Sequence, residues 1–265
     1  MISVSPVANL HLPWFFVEVL PGPGGAIALD AREARHAAGS RRLGPGDDVV
    51  LFDGRGGLAH ASIEEGPNRT SITARVRSVE AAPLPTVLIH LAAALPKGDR
   101  AATMLGMAAQ GGMTSFTPLL CQRGVVEPGP NAAERWRRIL IEACKQSRRA
   151  TLPEIHRPAT PVELVDRDMQ HRATVLFAHP GGEALIKALA AGPERTPWNV
   201  GMEEPPARVT CLVGPEAGFT DEEITAMNER GAQRVDLGPG TLRIETAAVL
   251  MVGAAMLVSQ TRAEA

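Results

Sequence analysis

Apolar positions along this chain follow two regimes that meet near residue 82. Upstream, short strand-like runs cover residues 14–20, 49–53, 58–64 and 71–79, separated by turn signals such as Gly22-Pro23-Gly24, Gly44-Pro45-Gly46-Asp47 and Asp53-Gly54. Strands this short and evenly spaced predict a small β-barrel. One helix interrupts it near residues 31–38, carrying Arg32, Arg35 and His36. The segment Ala81-Ala82-Pro83-Leu84-Pro85 has the composition of a linker and sets the expected domains at residues 1–82 and 83–265. Downstream, strands and helices alternate: strand 87–95, loop Pro96-Lys97-Gly98-Asp99 and a helix to residue 110; strand 114–120 and a helix over 131–147; strand 174–178, loop His179-Pro180-Gly181-Gly182 and a helix to residue 190. Such alternation predicts an α/β domain with a mostly parallel sheet flanked by helices. Residues 192–206, with Pro193, Pro197, Pro205 and Pro206, read as a surface loop.

The last quarter of the chain is the most informative. Residues 209–213 form a β-branched, apolar run that fits a buried strand, and Gly214-Pro215 stops it. Thr220 with Glu223 reads as a capping box, Asp221 and Glu222 suit a first helical turn, and Gly231 is placed to end the helix. A second brief strand over 234–237 breaks into Gly238-Pro239-Gly240, and Glu245 or Thr246 starts a helix reaching about residue 260. From Ala247 to Val258 that helix is apolar on nearly every face, which suits a core or an interface. Those twelve residues fall short of the roughly 20 that a membrane span needs, so no membrane partner is expected.

In an open parallel sheet, ligands gather outside the carboxyl ends of the strands. Three loops are expected there: His179-Pro180-Gly181, Gly214 to Gly218, and Leu237 to Arg243. Their glycines allow close backbone approach, and their free N–H and C=O groups can read an adenine edge or an amino acid moiety. Taken singly, each loop reads equally well as a tight connection. No Gly-Lys-Ser or Gly-Lys-Thr follows, which excludes a P-loop, and no dinucleotide fingerprint occurs at a strand-to-helix turn.

Composition narrows the alternatives. A chain of 265 residues, 45% hydrophobic, can fill one large core or two smaller ones. Its N-terminus lacks a basic flank followed by an apolar block, so no secretory signal is expected. Cys121, Cys144 and Cys211 match no metal spacing and leave an odd thiol if any two pair, which fits free cysteines in the cytoplasm. A net charge of -2 argues against a protein that coats nucleic acid by charge alone, while leaving room for local basic patches. With no tyrosine and 3% aromatics, stacking platforms for single-stranded bases are scarce.

In its paired glycine blocks the chain resembles the SPOUT methyltransferases, and most closely the RsmE family, which methylates N3 of a uridine in 16S ribosomal RNA with S-adenosyl-L-methionine. The family pattern Gly-Pro-Glu-Gly-Gly stands here as Gly214-Pro215-Glu216-Ala217-Gly218. A Leu-Gly pair followed by Leu-Arg-x-Glu-Thr-Ala stands as Leu237-Gly238-Pro239-Gly240-Thr241-Leu242-Arg243-Ile244-Glu245-Thr246-Ala247. The likeness extends over most of the chain. Arg42-Leu43-Gly44-Pro45-Gly46-Asp47 with Leu51-Phe52-Asp53-Gly54 resembles the family's PUA-like barrel, and Lys97-Gly98-Asp99 its first inter-strand loop. Glu142-Ala143, Gln146-Ser147, Arg149 and Pro153-Glu154 resemble the exit of its central helix.

The resemblance implies an RNA-binding PUA-like barrel over residues 1–82 and a SPOUT domain over 83–265 whose last segments thread a trefoil knot. It implies a homodimer with active sites at the subunit boundary. S-adenosyl-L-methionine would be held by His179, Pro180, Val213, Gly214, Pro215, Glu216, Gly218, Leu237, Gly238 and Leu242, with no metal. The 16S rRNA or small ribosomal subunit would be met by Arg41, Arg42, Lys97, Gln146 and Arg149. Further cations on the barrel and the central helix, Arg32, Arg35, Arg135, Arg137, Arg138, Lys145 and Arg148, are phosphate-binding candidates or solvated surface charges.

A uracil N3 carries a proton at neutral pH, so methyl transfer needs that proton removed or the resulting anion stabilised. Arg243 is the first candidate to hold the developing charge or orient the base, because its own charge is permanent. Glu245 is a candidate proton acceptor, while an Arg243–Glu245 ion pair that merely locks the loop is the plain alternative. Several positions depart from the family: Trp14 stands where an arginine is usual, Met107 lies in an altered helix, Ala217 replaces a glycine, Gly240 stands where arginine or lysine is frequent, and Ile244 replaces a threonine. The other function class consistent with these departures is a knotted RNA-binding or ribosome-assembly protein with lost or retargeted chemistry.

Overall fold

The computed structural model describes residues 11–34, 43–64, 72–191 and 206–263. The chain forms two compact units, residues 1–84 with 144–152 and residues 85–143 with 153–265.

In the first unit, β1 (Trp14–Phe16), β2 (Ala26–Ala28), β3 (Asp48–Phe52), β4 (Gly57–Glu64) and β5 (Thr73–Ala81) make one sheet in the order β1-β3-β4-β5-β2. β3, β4 and β5 form an antiparallel meander, β2 pairs antiparallel with β5, and β1 lies parallel to β3. Alternation along β4 turns Ala59, Ala61 and Ile63 inward, where they meet Phe15, Val49, Leu51, Ala74 and Val76. Residues 144–152 dock on the same unit through Gly56 N–H to Ala150 O (3.2 Å) and Leu152 N–H to Gly54 O (2.9 Å). Gly54 has φ +73°, and a Cβ there would lie 2.7 Å from the Leu152 side chain, so only glycine fits. Trp14 is buried with its ring 5.6 Å from that of Phe52, so this side chain packs the first unit. Of the helix expected near 31–38, residues 31–34 are helical, while Arg35, His36, Arg41 and Arg42 lie outside the described residues.

The second unit holds a six-stranded sheet of β6 (Val87–Ala93), β7 (Ser115–Pro118), β8 (Glu154–Ile155), β9 (Thr174–Ala184), β10 (Ala207–Val213) and β11 (Gln233–Asp236), in the order β11-β9-β10-β6-β7-β8. Every pairing is parallel, as the alternation predicts. The helices are α1 (Arg100–Gln110), α2 (Ala132–Ser147), α3 (Pro161–Gln170), α4 (Leu185–Ala191), α5 (Asp221–Glu229) and α6 (Ile244–Ala263). β10 and β6 are buried along almost their whole length, as strands covered on both faces must be.

Three features differ from the sequence reading. α3 was not expected, although Thr160-Pro161-Val162-Glu163 carries its start: the Thr160 hydroxyl accepts the Glu163 N–H (3.3 Å), and the Glu163 carboxylate accepts the Thr160 N–H (2.8 Å). The segment expected as a loop after residue 178 instead stays extended to Ala184. β9 pairs with β11 through Phe177↔Arg234 and then Glu183↔Val235, so residues 178–182 bulge out of the ladder. Finally, α6 is 20 residues long, and its first 18 are long and apolar enough to cross a membrane. Yet one face of it, including Ala248, Met251, Val252 and Ala255, is buried in the core against β6, β10, α1 and α4.

Candidate active site

The bulge of β9 at residues 178–180 and the carboxyl ends of the neighbouring strands β10 and β11 open onto a cleft of about 580 Å³. That volume suits a drug-sized or cofactor-sized molecule. Its walls are the three loops singled out by sequence. His179, Pro180, Val213, Gly214, Pro215, Glu216, Gly218, Leu237, Gly238 and Leu242 all line it. Ala217 and Gly240, the two loop departures, line it as well, so both changes face the ligand space.

Each wall is shaped by local necessity. Gly218 (φ +73°) and Gly238 (φ +116°) take backbone conformations that other residues rarely adopt. A Cβ on Gly214 would lie 3.0 Å from the Phe219 ring, which packs edge-on against Phe177 at 6.2 Å. After the loop, Thr220 and Glu223 form the expected capping box of α5. Glu223 also accepts the Gln122 N–H (2.9 Å), and the Arg123 guanidinium donates to the carbonyls of Ala217 (3.2 Å) and Phe219 (3.3 Å). The chain just beyond β7 thus braces the loop from behind.

Asp236 and Arg100 are the site residues that sequence reasoning passed over. Asp236 lines the cleft, and its carboxylate accepts the N–H groups of Gly181 (2.7 Å) and Gly238 (2.8 Å). Those two bonds, the one from Gly181 first, hold its pKa below the ordinary aspartate value. Arg100, the first residue of α1, donates to Glu216 (2.9 Å), lies 3.7 Å from Glu245 and donates to the Lys97 carbonyl (3.2 Å). An acidic residue in both glycine motifs was the available signal that a cation would lie between them.

Arg243 is exposed and has no ion-pair partner among the described residues. Glu245 has a largely buried side chain whose charged neighbour is Arg100, so the Arg243–Glu245 pair does not form. One Glu245 oxygen, Oε2, is buried without a hydrogen bond.

Of the residues expected at RNA, Lys97 is exposed in the second unit, and Gln146 is exposed and Arg149 half-buried in the first. Burial pushes the Arg149 guanidinium below its ordinary pKa. Lys145 requires a correction. Its ammonium bonds both oxygens of Glu33 at 2.8 Å with only 7% of the side chain exposed, so it is a buried structural pair rather than a phosphate ligand.

The cleft fits S-adenosylmethionine. Val213, Leu237, Leu242 and Ile244 offer apolar surface for a nucleoside, open loop backbone offers donors and acceptors, and the carboxylates of Glu216 and Asp236 suit a cationic ligand.

A family profile for an RNA methyltransferase domain matches residues 82–256, and one for an RNA methyltransferase PUA domain matches residues 29–77. The ribosomal RNA small subunit methyltransferase E of Mycobacterium bovis is 32% identical over 250 residues, covering 91% of this chain and 89% of the relative. That of Synechocystis is 33% identical over 222 residues, covering 83% and 69%. Among solved structures, the small subunit methyltransferase E of Neisseria gonorrhoeae bound to S-adenosyl methionine superposes with a TM-score of 0.77 at 27% identity, covering 92% of this chain and 96% of that one. A Legionella pneumophila protein in complex with the same cofactor gives 0.76 at 27% identity, covering 95% and 98%. With both domains matched in order and relatives aligned along nearly the whole length, the chain belongs to the ribosomal RNA small subunit methyltransferase E family of RNA methyltransferases.

Proposed function

We propose that this protein is a cytoplasmic homodimer that methylates N3 of a uridine in 16S ribosomal RNA with S-adenosylmethionine. The observation that carries the reading is the convergence of all ten expected cofactor residues on one cleft at the β9 bulge and the ends of β10 and β11.

The cofactor supplies an electrophilic methyl group on a sulfonium. The chain's own residues prepare the acceptor. Arg243, exposed and not engaged by a carboxylate among the described residues, is free to face a uracil carbonyl and hold the charge that appears when N3 loses its proton. Glu245, in the first turn of α6 two residues after Arg243, is the proposed acceptor of that proton. Asp236 and the bulge at residues 178–182 keep the cofactor walls in place.

Dimer formation is supported by the second face of α6. Leu250 (45% exposed) and Leu257 (64%) lie two turns apart, with Gly253 between them open to space and Met107 of α1 also exposed. A partner copy, rather than a bilayer, is the proposed cover. The threading of the final segments into a trefoil knot belongs to the same proposal, as do RNA binding by the PUA-like barrel over residues 1–82 and contacts from Arg41, Arg42, Lys97, Gln146 and Arg149.

Calorimetry with S-adenosylmethionine tests the cofactor. Saturable binding is expected, and its absence from well-folded protein would leave a non-catalytic RNA-binding protein as the better reading. Deleting the gene and mapping 16S rRNA by mass tests the target: the N3-methyluridine disappears, or the assignment is wrong. Arg243→Ala should abolish turnover while leaving cofactor affinity and folding intact.

A further inference from the structure

Arg100 sits where a helix does not favour it. It opens α1, whose first turn holds no acidic residue and whose N-cap, Asp99, makes no side-chain cap; the Asp99 carboxylate pairs with Arg135 at 3.0 Å. A cation at a helix N-terminus opposes the macrodipole, so local stability does not explain this residue. Its long-range partners do. The guanidinium reaches Glu216 in the loop after β10 (2.9 Å) and Glu245 in the first turn of α6 (3.7 Å), and Nε ties back to the Lys97 carbonyl (3.2 Å). Three chain segments, one following β6, one following β10 and one leading from β11, converge on a single side chain.

We infer that Arg100 is a positioning residue that couples the two glycine motifs, fixing Glu216 at the cleft wall while holding Glu245 beside the acceptor. It does not line the cleft itself, whereas Glu216 does, so it acts on the cofactor through Glu216. The inference rests on the cofactor reading above. Both carboxylates carry the charge that an arginine matches, and removing it leaves each without its cationic neighbour.

The test is a double-mutant cycle read by calorimetry with S-adenosylmethionine. Arg100→Ala should weaken binding about fivefold, since the pair is partly exposed and screened. Arg100→Lys should recover part of that loss. In a Glu216→Gln background, Arg100→Ala should add little, because its partner is already gone. The same variants assayed for turnover should show a raised KM for the cofactor from the Glu216 arm, and a lowered kcat from Arg100→Ala in both backgrounds, because Glu245 loses its cation in each. Thermal melts identify any variant that fails to fold, and Arg100→Gln then replaces Arg100→Ala. Wild-type affinity in a folded Arg100→Ala protein, or losses from Arg100 and Glu216 that simply add, would overturn the inference. A wild-type protein that binds no cofactor would instead overturn the reading beneath it.

Discussion

Asp236 ties Gly181 to the cleft: its Oδ2 accepts the Gly181 N–H at 2.7 Å while Oδ1 accepts the Gly238 N–H at 2.8 Å. One side chain therefore holds the bulge in β9 against the loop that follows β11. Asp236→Asn keeps the shape but turns one acceptor into a donor, so one of the two N–H groups loses its partner. Affinity for S-adenosylmethionine should fall about tenfold by calorimetry. The pH dependence follows from the lowered pKa. A carboxyl depressed in the folded state keeps its contribution above the ordinary aspartate value of about 4 and loses it only as pH falls through the folded value. Cofactor affinity arising from this tie should stay flat from pH 7 to about 5. A decline centred near neutrality would assign the tie to another group.

Two glycines should behave differently from each other. A Cβ on Gly182 would lie 2.6 Å from the Arg234 carbonyl oxygen and 2.7 Å from the Val235 nitrogen, so β9 and β11 would have to separate. Gly182→Ala should cost about 1–3 kcal/mol in denaturant unfolding. On Gly214 the obstacle is the Phe219 ring at 3.0–3.1 Å, a side chain that can tilt. Gly214→Ala should cost less stability and more cofactor affinity. Equal melting temperatures for the two variants would contradict this contrast.

Acid stability should trace to Asp168. Its carboxylate lies inside the second unit and accepts from Arg167 Nε (2.7 Å), Thr210 Oγ1 (2.6 Å) and His90 Nδ1 (2.8 Å), while His90 Nε2 meets the Thr117 hydroxyl at 2.8 Å. Burial alone would raise this carboxyl, but the hydrogen bonds and the nearby imidazole outweigh burial and hold it well below the usual carboxylate range. A depressed folded pKa means the stabilisation is complete above about pH 4 and fades as the carboxyl protonates below that. Asp168→Asn should lose about 3 kcal/mol at neutral pH, measured by urea unfolding, and the difference from wild type should shrink in acid. A constant difference across pH would reject the assignment.

Sequence made the glycine loops and the capping box of α5 legible because each is written in consecutive residues. The start of α3 is equally local, Thr160-Pro161-Val162-Glu163 repeating the capping box of Thr220 to Glu223, although no helix was expected there. Arg100 and Asp236 were hidden for a physical reason. Their roles are set by partners 116 and 55 positions away, Glu216 and Gly181, and no periodicity reports such a distance. Lys145 shows the same limit in reverse: a lysine on a polar helix reads as a phosphate contact until Glu33, 112 positions upstream, is seen to neutralise it. The parallel sheet was legible from alternation, whereas the recruitment of residues 144–152 to the first unit depends on contacts with Gly54 and Gly56 that only folding brings about.

The three cysteines should be inert. All are free and buried. Burial pushes the thiols of Cys121 and Cys211 up to about 12, with Glu223 adding to the shift at Cys121. At Cys144 burial, partly offset by the charge of Arg149, gives about 11. Because the thiolate is the reactive form, a chromogenic disulfide reagent at pH 8 should titrate no thiol in the native protein and three in urea. Rapid labelling of a native thiol would place that cysteine at a surface.

Gly240 is the loop departure whose reversal is cheapest. It lines the cleft, is exposed, meets nothing within 4 Å of a built Cβ, and has no positive φ to strain a side chain. Neighbouring Gly238, at φ +116°, has equal space but a backbone that excludes most residues. The family resemblance implies an arginine or lysine at the Gly240 position, a cation that this chain lacks. Gly240→Lys should therefore leave the melting temperature and cofactor affinity unchanged while strengthening binding to a 16S rRNA fragment. If the new ammonium meets a phosphate, the slope of log affinity against log salt should steepen by about 1, whereas a contact to a base would raise affinity with little change in slope. Gly238→Lys is the control: it should lower stability and cofactor binding together. Unchanged RNA affinity and slope in a folded Gly240→Lys protein would show that the RNA path avoids this side of the cleft, and that the glycine marks a different docking route rather than a lost contact.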